Sequence, residues 1–156
     1  MSSMFNDQII ENTKQPPHLG ETVFAKVINV YDADTVTVVY NINNNPTSPF
    51  VINVRLSGID APEKKTLNDL EKKASYLLTE FVNSKLLNKI INLEIKGWDK
   101  YGGRIVGNIS LNGEFEEKDV SDWLLSKNLV KSFNGKTKKE EWSDKELNSI
   151  IDFFQK

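Results

Sequence analysis

The 156-residue sequence has no cysteine and a single histidine, His18. The first absence excludes disulfide stapling, zinc–thiolate centres and thiol chemistry. The second argues against a histidine triad or a histidine-rich metal site, and His18, in a Pro-Pro-His-Leu-Gly loop, reads as solvated surface. No apolar run is long enough to span a bilayer. The stretch M-S-S-M-F-N-D-Q-I-I-E-N-T-K-Q lacks the basic start and apolar core of a leader, so an intracellular protein that does not engage a membrane is expected. There is no Gly-rich phosphate loop ahead of a helix and no nucleophile beside an activating base. A net charge of -2 gives no general attraction for polyanions. What is present for chemistry is carboxylate, arginine and lysine.

The length and the 38% hydrophobic content suit one domain with one core. Residues 1–21 are polar and end in Q-P-P-H-L-G, which reads as a flexible amino-terminal arm, with a single domain over 22–156. From Phe24 the pattern alternates, placing Phe24, Lys26, Ile28 and Val30 on one face and Ala25, Val27 and Asn29 on the other. A second strand is expected over 35–40, then an exposed loop rich in Asn, Ser and Pro over 41–49. In a third strand Phe50, Ile52, Val54 and Leu56 share a face, so Arg55 points away from it. Leu67, Leu70, Ala74, Leu77, Leu78, Phe81 and Val82 recur at helical spacing. Ile91, Leu93 and Ile95 mark a fourth strand, and Ile105–Leu111 a fifth that ends at the hairpin dipeptide Asn112-Gly113. Two further helices follow, around Val120, Trp123 and Leu124, and from the Ser143/Glu146 capping box through Leu147, Ile150, Ile151 and Phe154. The economical closure is an α+β fold, a five-stranded OB-type β-barrel with three packed α-helices.

Two acidic turns stand out, Y-D-A-D-T at 31–35 and I-D-A-P-E at 59–63. Asp60 and Glu63 flank a proline turn, and like charges that close need a cation, a metal or a proton to compensate them. Asp34 opens the second strand and Asp60 follows the third, where a hairpin register can bring them together. Two carboxylates with backbone carbonyl and water form the oxygen-only set that suits calcium or magnesium. Alone, Asp-x-Asp-Thr is an ordinary turn sequence. With Glu63 and Arg55 added, the parts fit a phosphodiesterase in which water attacks: a metal, a carboxylate to handle water, and guanidinium groups for the developing charge. A second arginine, Arg104, follows two glycines at the start of the fifth strand, and its planar fork suits a phosphate.

V-I-N-V-Y-D-A-D-T-V, V-R-L-S-G-I-D-A-P-E and W-D-K-Y-G-G-R, in this order, resemble the staphylococcal nuclease (thermonuclease) family, from about Phe24 to Trp142. The resemblance implies a calcium-dependent nuclease on an OB barrel that cleaves DNA and RNA, single-stranded or locally opened, and leaves 3'-phosphate and 5'-hydroxyl ends. It implies Asp34, Asp60 and the carbonyl of Ala61 as calcium ligands, Glu63 as the base, and Arg55 and Arg104 on the scissile phosphate. Lys100 and Tyr101 would contact a nucleotide phosphate, and Phe133 is the one ring left to stack a base where some members place two tyrosines. Ala33 stands where the family often has Gly, Ala61 where it has Thr, and the segment between Glu63 and the first helix is short. Lys131, Lys136, Lys138 and Lys139 could contact backbone phosphates or form a solvated basic loop.

Two other readings carry less of the pattern. A non-catalytic nucleic-acid-binding module of the same family fits poorly with a net negative chain that keeps all five charged positions. A protein-interaction OB domain leaves Asp34, Arg55, Asp60, Glu63 and Arg104 unexplained. A monomer is expected. Replacing Glu63 by Gln, or Arg55 or Arg104 by Ala, is expected to lower turnover by orders of magnitude with the fold intact; wild-type-like turnover in all three would remove the site.

Overall fold

A computed structural model of the chain describes residues 15–100, 102–134 and 140–155. Along these the strands and helices run β1 (Thr22–Asp32), β2 (Thr35–Asn41), β3 (Pro49–Leu56), β4 (Ile59–Asp60), α1 (Asp69–Leu86), β5 (Ile90–Trp98), β6 (Ile105–Ser110), α2 (Val120–Ser126), β7 (Lys131–Ser132) and α3 (Asp144–Gln155). Five strands close a barrel in the order β1-β2-β3-β6-β5, so none of them is left as an open edge. All contacts are antiparallel except β3 with β6. This is the expected OB-type barrel of an α+β fold.

Val27, Val36, Val38, Val54, Leu56, Leu93, Ile95, Ile105 and Ile109 fill the barrel and are all but inaccessible to water. β-Branched residues dominate because they suit a pleated surface buried on one side. The faces of β1 differ from simple alternation. Its pairing with β2 shifts register between Val27 and Asn29 and again between Val30 and Asp32. Ala25, Val27 and Val30 therefore point inward, while Phe24, 76% exposed, and Ile28 point out. An extra residue in one strand reverses the side-chain parity beyond it.

The long helix starts later than the apolar spacing implies. Asn68 caps it, its side-chain oxygen accepting from the backbone N–H groups of Leu70 and Glu71. Leu67 lies outside the helix and is fully exposed. Ala74, Leu78, Val82 and Leu86 form the buried stripe, and α1 packs on β1 and α3. The three helices are joined by rings: Phe81 of α1 stacks on Trp123 of α2 with centroids 5.4 Å apart, and lies 5.4 Å from Phe154 of α3. The box at the start of α3 forms as expected, with Ser143 N–H donating to Glu146 and Glu146 N–H to Ser143 Oγ.

Asn112-Gly113 makes a turn but not a hairpin. It leads into a 3-10 turn, Phe115–Glu117, that buries Phe115 against Trp123. Between β2 and β3 the expected loop narrows to a 3-10 turn, Ile42–Asn44, closed by Ile42 N–H on Ser48 O.

Of the expected flexible arm, residues 1–14 lie outside the described residues, and the remainder contacts the barrel. Gly20 N–H donates to Ile95 O, and Ile95 N–H to Glu21 O. His18 is not solvated surface, since only 8% of its side chain is exposed. Its Nε2 accepts from Asn43 N–H at 2.9 Å, so Nδ1 carries the proton and donates to Glu21 at 2.8 Å. Tyr40, buried at this end, donates its hydroxyl to Pro17 O at 2.9 Å.

Burial pushes the Tyr40 phenol up to about 12. The unfolded chain ionises first, so this residue's contribution is intact below its unfolded value and is lost as pH climbs toward the folded one. Tyr40→Phe should cost about 1 kcal/mol at neutral pH through the lost hydrogen bond, and should flatten the decline in stability between about pH 10 and 12. Urea denaturation of both proteins across that range checks it, and parallel pH profiles would contradict it.

Candidate functional site

β3 and the turn before β2 bring the first two charges together. Thr35 lies opposite Arg55, and Leu56 N–H donates to Asp34 O at 2.8 Å. After Leu56 the chain turns at Gly58, whose φ of 79° is a conformation glycine adopts without strain. It re-enters as β4, where Asp60 pairs with Lys131 of β7. Asp60 thus returns beside the residue from which the chain departed.

Arg55 contacts both aspartates. Its Nη1 is 2.9 Å from Asp34 Oδ2, and its Nη2 is 3.5 Å from Asp60 Oδ1. All three are buried: Arg55 is 9% exposed, Asp34 6% and Asp60 4%. Asp34 is further held by Ala61 N–H on Oδ2 at 2.8 Å and by the Thr35 hydroxyl on Oδ1 at 3.0 Å. Charges this deep are tolerated only when paired and hydrogen-bonded. One guanidinium against two carboxylates still leaves a formal negative charge on the cluster. Arg55, expected near a metal, is itself a cation lying against both proposed metal ligands.

The remaining residues fall in two clefts that meet at this cluster. Asp60, Ala61 and Glu63 line one of about 410 Å³, together with Glu71, Glu140, Glu141 and Trp142. It is strongly acidic. Arg55, Lys100, Arg104 and Phe133 line the other, of about 530 Å³, with Asp99 and Trp98. Arg104 precedes β6 by one residue and shares the parity of Val106, which lies opposite Arg55, so both arginines open on the same cleft. The Phe133 ring lies 5.8 Å from the Arg55 guanidinium, and Phe133 N–H donates to Gly58 O. Tyr101, Lys136, Lys138 and Lys139 lie outside the described residues. Lys131 is drawn toward α3, contacting Glu141 O at 2.8 Å and Glu146 at 3.1 Å.

Three supports escaped the sequence reading. Glu71, in the first turn of α1, accepts the Glu63 N–H at 2.8 Å and ties the segment carrying Glu63 to the helix. Asp99 accepts from Arg104 Nε at 2.8 Å and orients that guanidinium. The two-residue β4–β7 pair holds Asp60. Asp99 could have been found, since it stands five residues before Arg104 in the same turn. Glu71 reads from sequence as one more solvated helix acid.

The burial of Arg55 changes one expectation. Its removal leaves two buried carboxylates facing each other, so Arg55→Ala should not leave the fold intact. Breaking a buried pair in this way typically costs about 3–5 kcal/mol. A denaturant midpoint for Arg55→Ala within error of wild type would show that the cluster does not hold these segments together.

The sequence model of the family described as "Staphylococcal nuclease homologue" matches residues 53–150. No curated protein matches the chain. The matched segment carries Arg55, Asp60, Ala61, Glu63, Arg104 and Phe133, while Asp34 reaches the site from the strand pair ahead of it. A match over well more than half of the chain, on a closed five-stranded barrel of the expected type, establishes that this protein belongs to the staphylococcal nuclease homologue family.

Proposed function

We propose that the protein is a calcium-dependent nuclease that hydrolyses phosphodiester bonds of DNA and RNA, leaving 3'-phosphate and 5'-hydroxyl ends. The observation that carries this reading is the meeting of an acidic and a basic cleft at the Asp34–Arg55–Asp60 cluster. A polyanion would be repelled by the first cleft and drawn to the second. A cation in the acidic cleft would relieve that repulsion.

The donor set fits such an ion. Among the described residues no three acidic or imidazole groups form a ready-made cage. Asp34 and Asp60 would supply two carboxylates, with the Ala61 carbonyl and water completing an all-oxygen shell of the kind calcium accepts. When bound, the ion would neutralise the carboxylates and polarise the phosphoryl oxygen.

The chain's own residues would do the rest. Arg55 and Arg104, opening on one cleft, would grip the non-bridging oxygens of the scissile phosphate with charge-assisted hydrogen bonds that strengthen as charge builds in the transition state. Glu63 would take a proton from water as its oxygen bonds to phosphorus and the bond to the 5' oxygen breaks. That oxygen leaves as the hydroxyl after taking a proton from solvent water, and the phosphate stays on the 3' end. Glu71 would fix where Glu63 stands through its backbone, and Asp99 the direction of Arg104. Lys100 would meet a neighbouring phosphate, and Phe133 would pack a base or back Arg55.

A second reading, a binding module without turnover, draws on one feature: Arg55 is already engaged by two carboxylates, and a phosphate must compete with them. Incubation with single-stranded DNA in calcium, magnesium or chelator separates the two. Calcium-dependent cleavage with 3'-phosphate products is expected, and binding without cleavage in every condition would sink the catalytic reading. Glu63→Gln and Arg104→Ala should each lower turnover by about 10²–10³-fold, with Glu63→Gln still binding the oligonucleotide.

A further inference from the structure

Beside the acidic cleft lies a surface of different character. Tyr31, near the end of β1, and Tyr76, on α1, are 44% and 59% exposed. Between them stands Lys64, whose Nζ is 5.1 Å from the centroid of the Tyr31 ring and 5.9 Å from that of Tyr76. Both distances lie within the range in which an ammonium is held by an aromatic face. Lys64 is the next residue after Glu63, and Tyr31 is three residues before Asp34. The cluster is thus tied in sequence to both acidic turns.

The surroundings carry charges of both signs, with Asp32 beside Tyr31, Glu63 beside Lys64 and Glu80 four residues after Tyr76. Lys65 adjoins Lys64, and Lys72 and Lys73 precede Tyr76 by four and three residues on α1, the spacings at which helix side chains are neighbours. An exposed tyrosine offers a large flat apolar face that loses little entropy on binding. A lysine lying against ring faces can exchange that contact for a phosphate, freeing a ring for a base.

From this juxtaposition we infer that Tyr31, Lys64 and Tyr76 form a binding subsite for one or two nucleotides of a single-stranded nucleic acid, next to the bond that is cleaved. Bases stack on the tyrosines, and Lys64 turns to the intervening phosphate. The subsite rests on the nuclease reading for its position along the substrate, but its ligand follows from its own chemistry. Duplex ends or interiors do not suit it, because their bases are already stacked on one another. Stacking here would add to the contact that Phe133 offers on the basic cleft.

The test is fluorescence anisotropy of a labelled single-stranded oligonucleotide, and of the same sequence as a duplex, with chelator present so that nothing is cut. The side chains are exposed, so Tyr31→Ala/Tyr76→Ala should keep the wild-type melting temperature, checked by circular dichroism. That double variant should bind the single strand about tenfold more weakly. Tyr31→Phe/Tyr76→Phe, which keeps the rings, should stay within about twofold of wild type. Lys64→Ala should make the slope of log K against log salt shallower by about 0.7, the amount lost with one single-strand phosphate contact. In cleavage assays the double alanine variant should raise KM and leave kcat unchanged.

Unchanged affinity in the double alanine variant overturns the subsite, as does equal weakening for single strand and duplex, or no oligonucleotide binding by the wild type. If the variants weaken binding but no metal supports cleavage, the catalytic reading falls and the subsite stands. If calcium supports cleavage and the variants bind and cut as wild type does, the subsite falls and the catalytic reading stands.

Discussion

One guanidinium shared by two buried carboxylates governs how this chain is put together around its site. Arg55 has to be deep enough to reach Asp34 and Asp60, and each of its partners arrives by a different route. Asp34 comes from the turn ahead of β2, Asp60 from a chain reversal after β3. The cluster joins the first hairpin of the barrel to the segment that leads into the long helix, and Ala61 N–H on Asp34 reinforces the same seam. Buried ion pairs seldom stabilise a protein more than a hydrophobic cluster would. Their presence in this position makes sense as a device that fixes geometry, since an arginine and two aspartates can satisfy one another in few arrangements.

The overall charge says little about how such a site meets a polyanion. The sign of the field changes over the short distance from Glu63 and Glu71 to Arg104 and Lys100, with the Arg55 cluster as the boundary. Separation of opposite charges across a wall costs desolvation on both sides, and here the Ala61 N–H and the Thr35 hydroxyl, both donating to Asp34, offset part of it. A net charge near zero is what remains when two opposed local fields are summed.

Periodicity made the barrel legible. β-Branched residues at every second position located β2, β3, β5 and β6, and the same parity argument put Arg55 opposite Val54 and Leu56 in orientation. Where a feature depends on a partner strand, the sequence was silent. The bulges of β1 are set by pairing with β2, so Val30, grouped by alternation with Phe24 and Ile28, turns inward instead. Two-residue strands such as β4 and β7 have no period to detect. Leu67 matched the helical spacing by coincidence, although Asn68, a good cap, stood beside it. Residues with a motif around them are easiest to find: Asp34, Arg55 and Asp60 form one cluster and Arg104 opens on the same cleft as Arg55, whereas Glu71, which acts through another residue's backbone, has no signature in one sequence. His18 illustrates the same limit, since its burial depends on Asn43 and Tyr40, residues far along the chain.

The β4–β7 pair has an implication for the order of assembly. Asp60 acquires its strand neighbour only when Lys131 arrives, and Lys131 is in turn fastened to the first turn of α3 through Glu146. A chain emerging from the ribosome can form its first hairpin, and can set Arg55 against Asp34, long before either of those residues has been made. The second carboxylate is secured last. Until then the acidic cleft lacks the wall contributed by Glu140, Glu141 and Trp142. A nascent chain, or one frayed beyond β6, would therefore have a closed barrel whose acidic cleft still lacks a wall and whose Asp60 still lacks its strand neighbour, so the barrel and the cleft are separate stages of assembly.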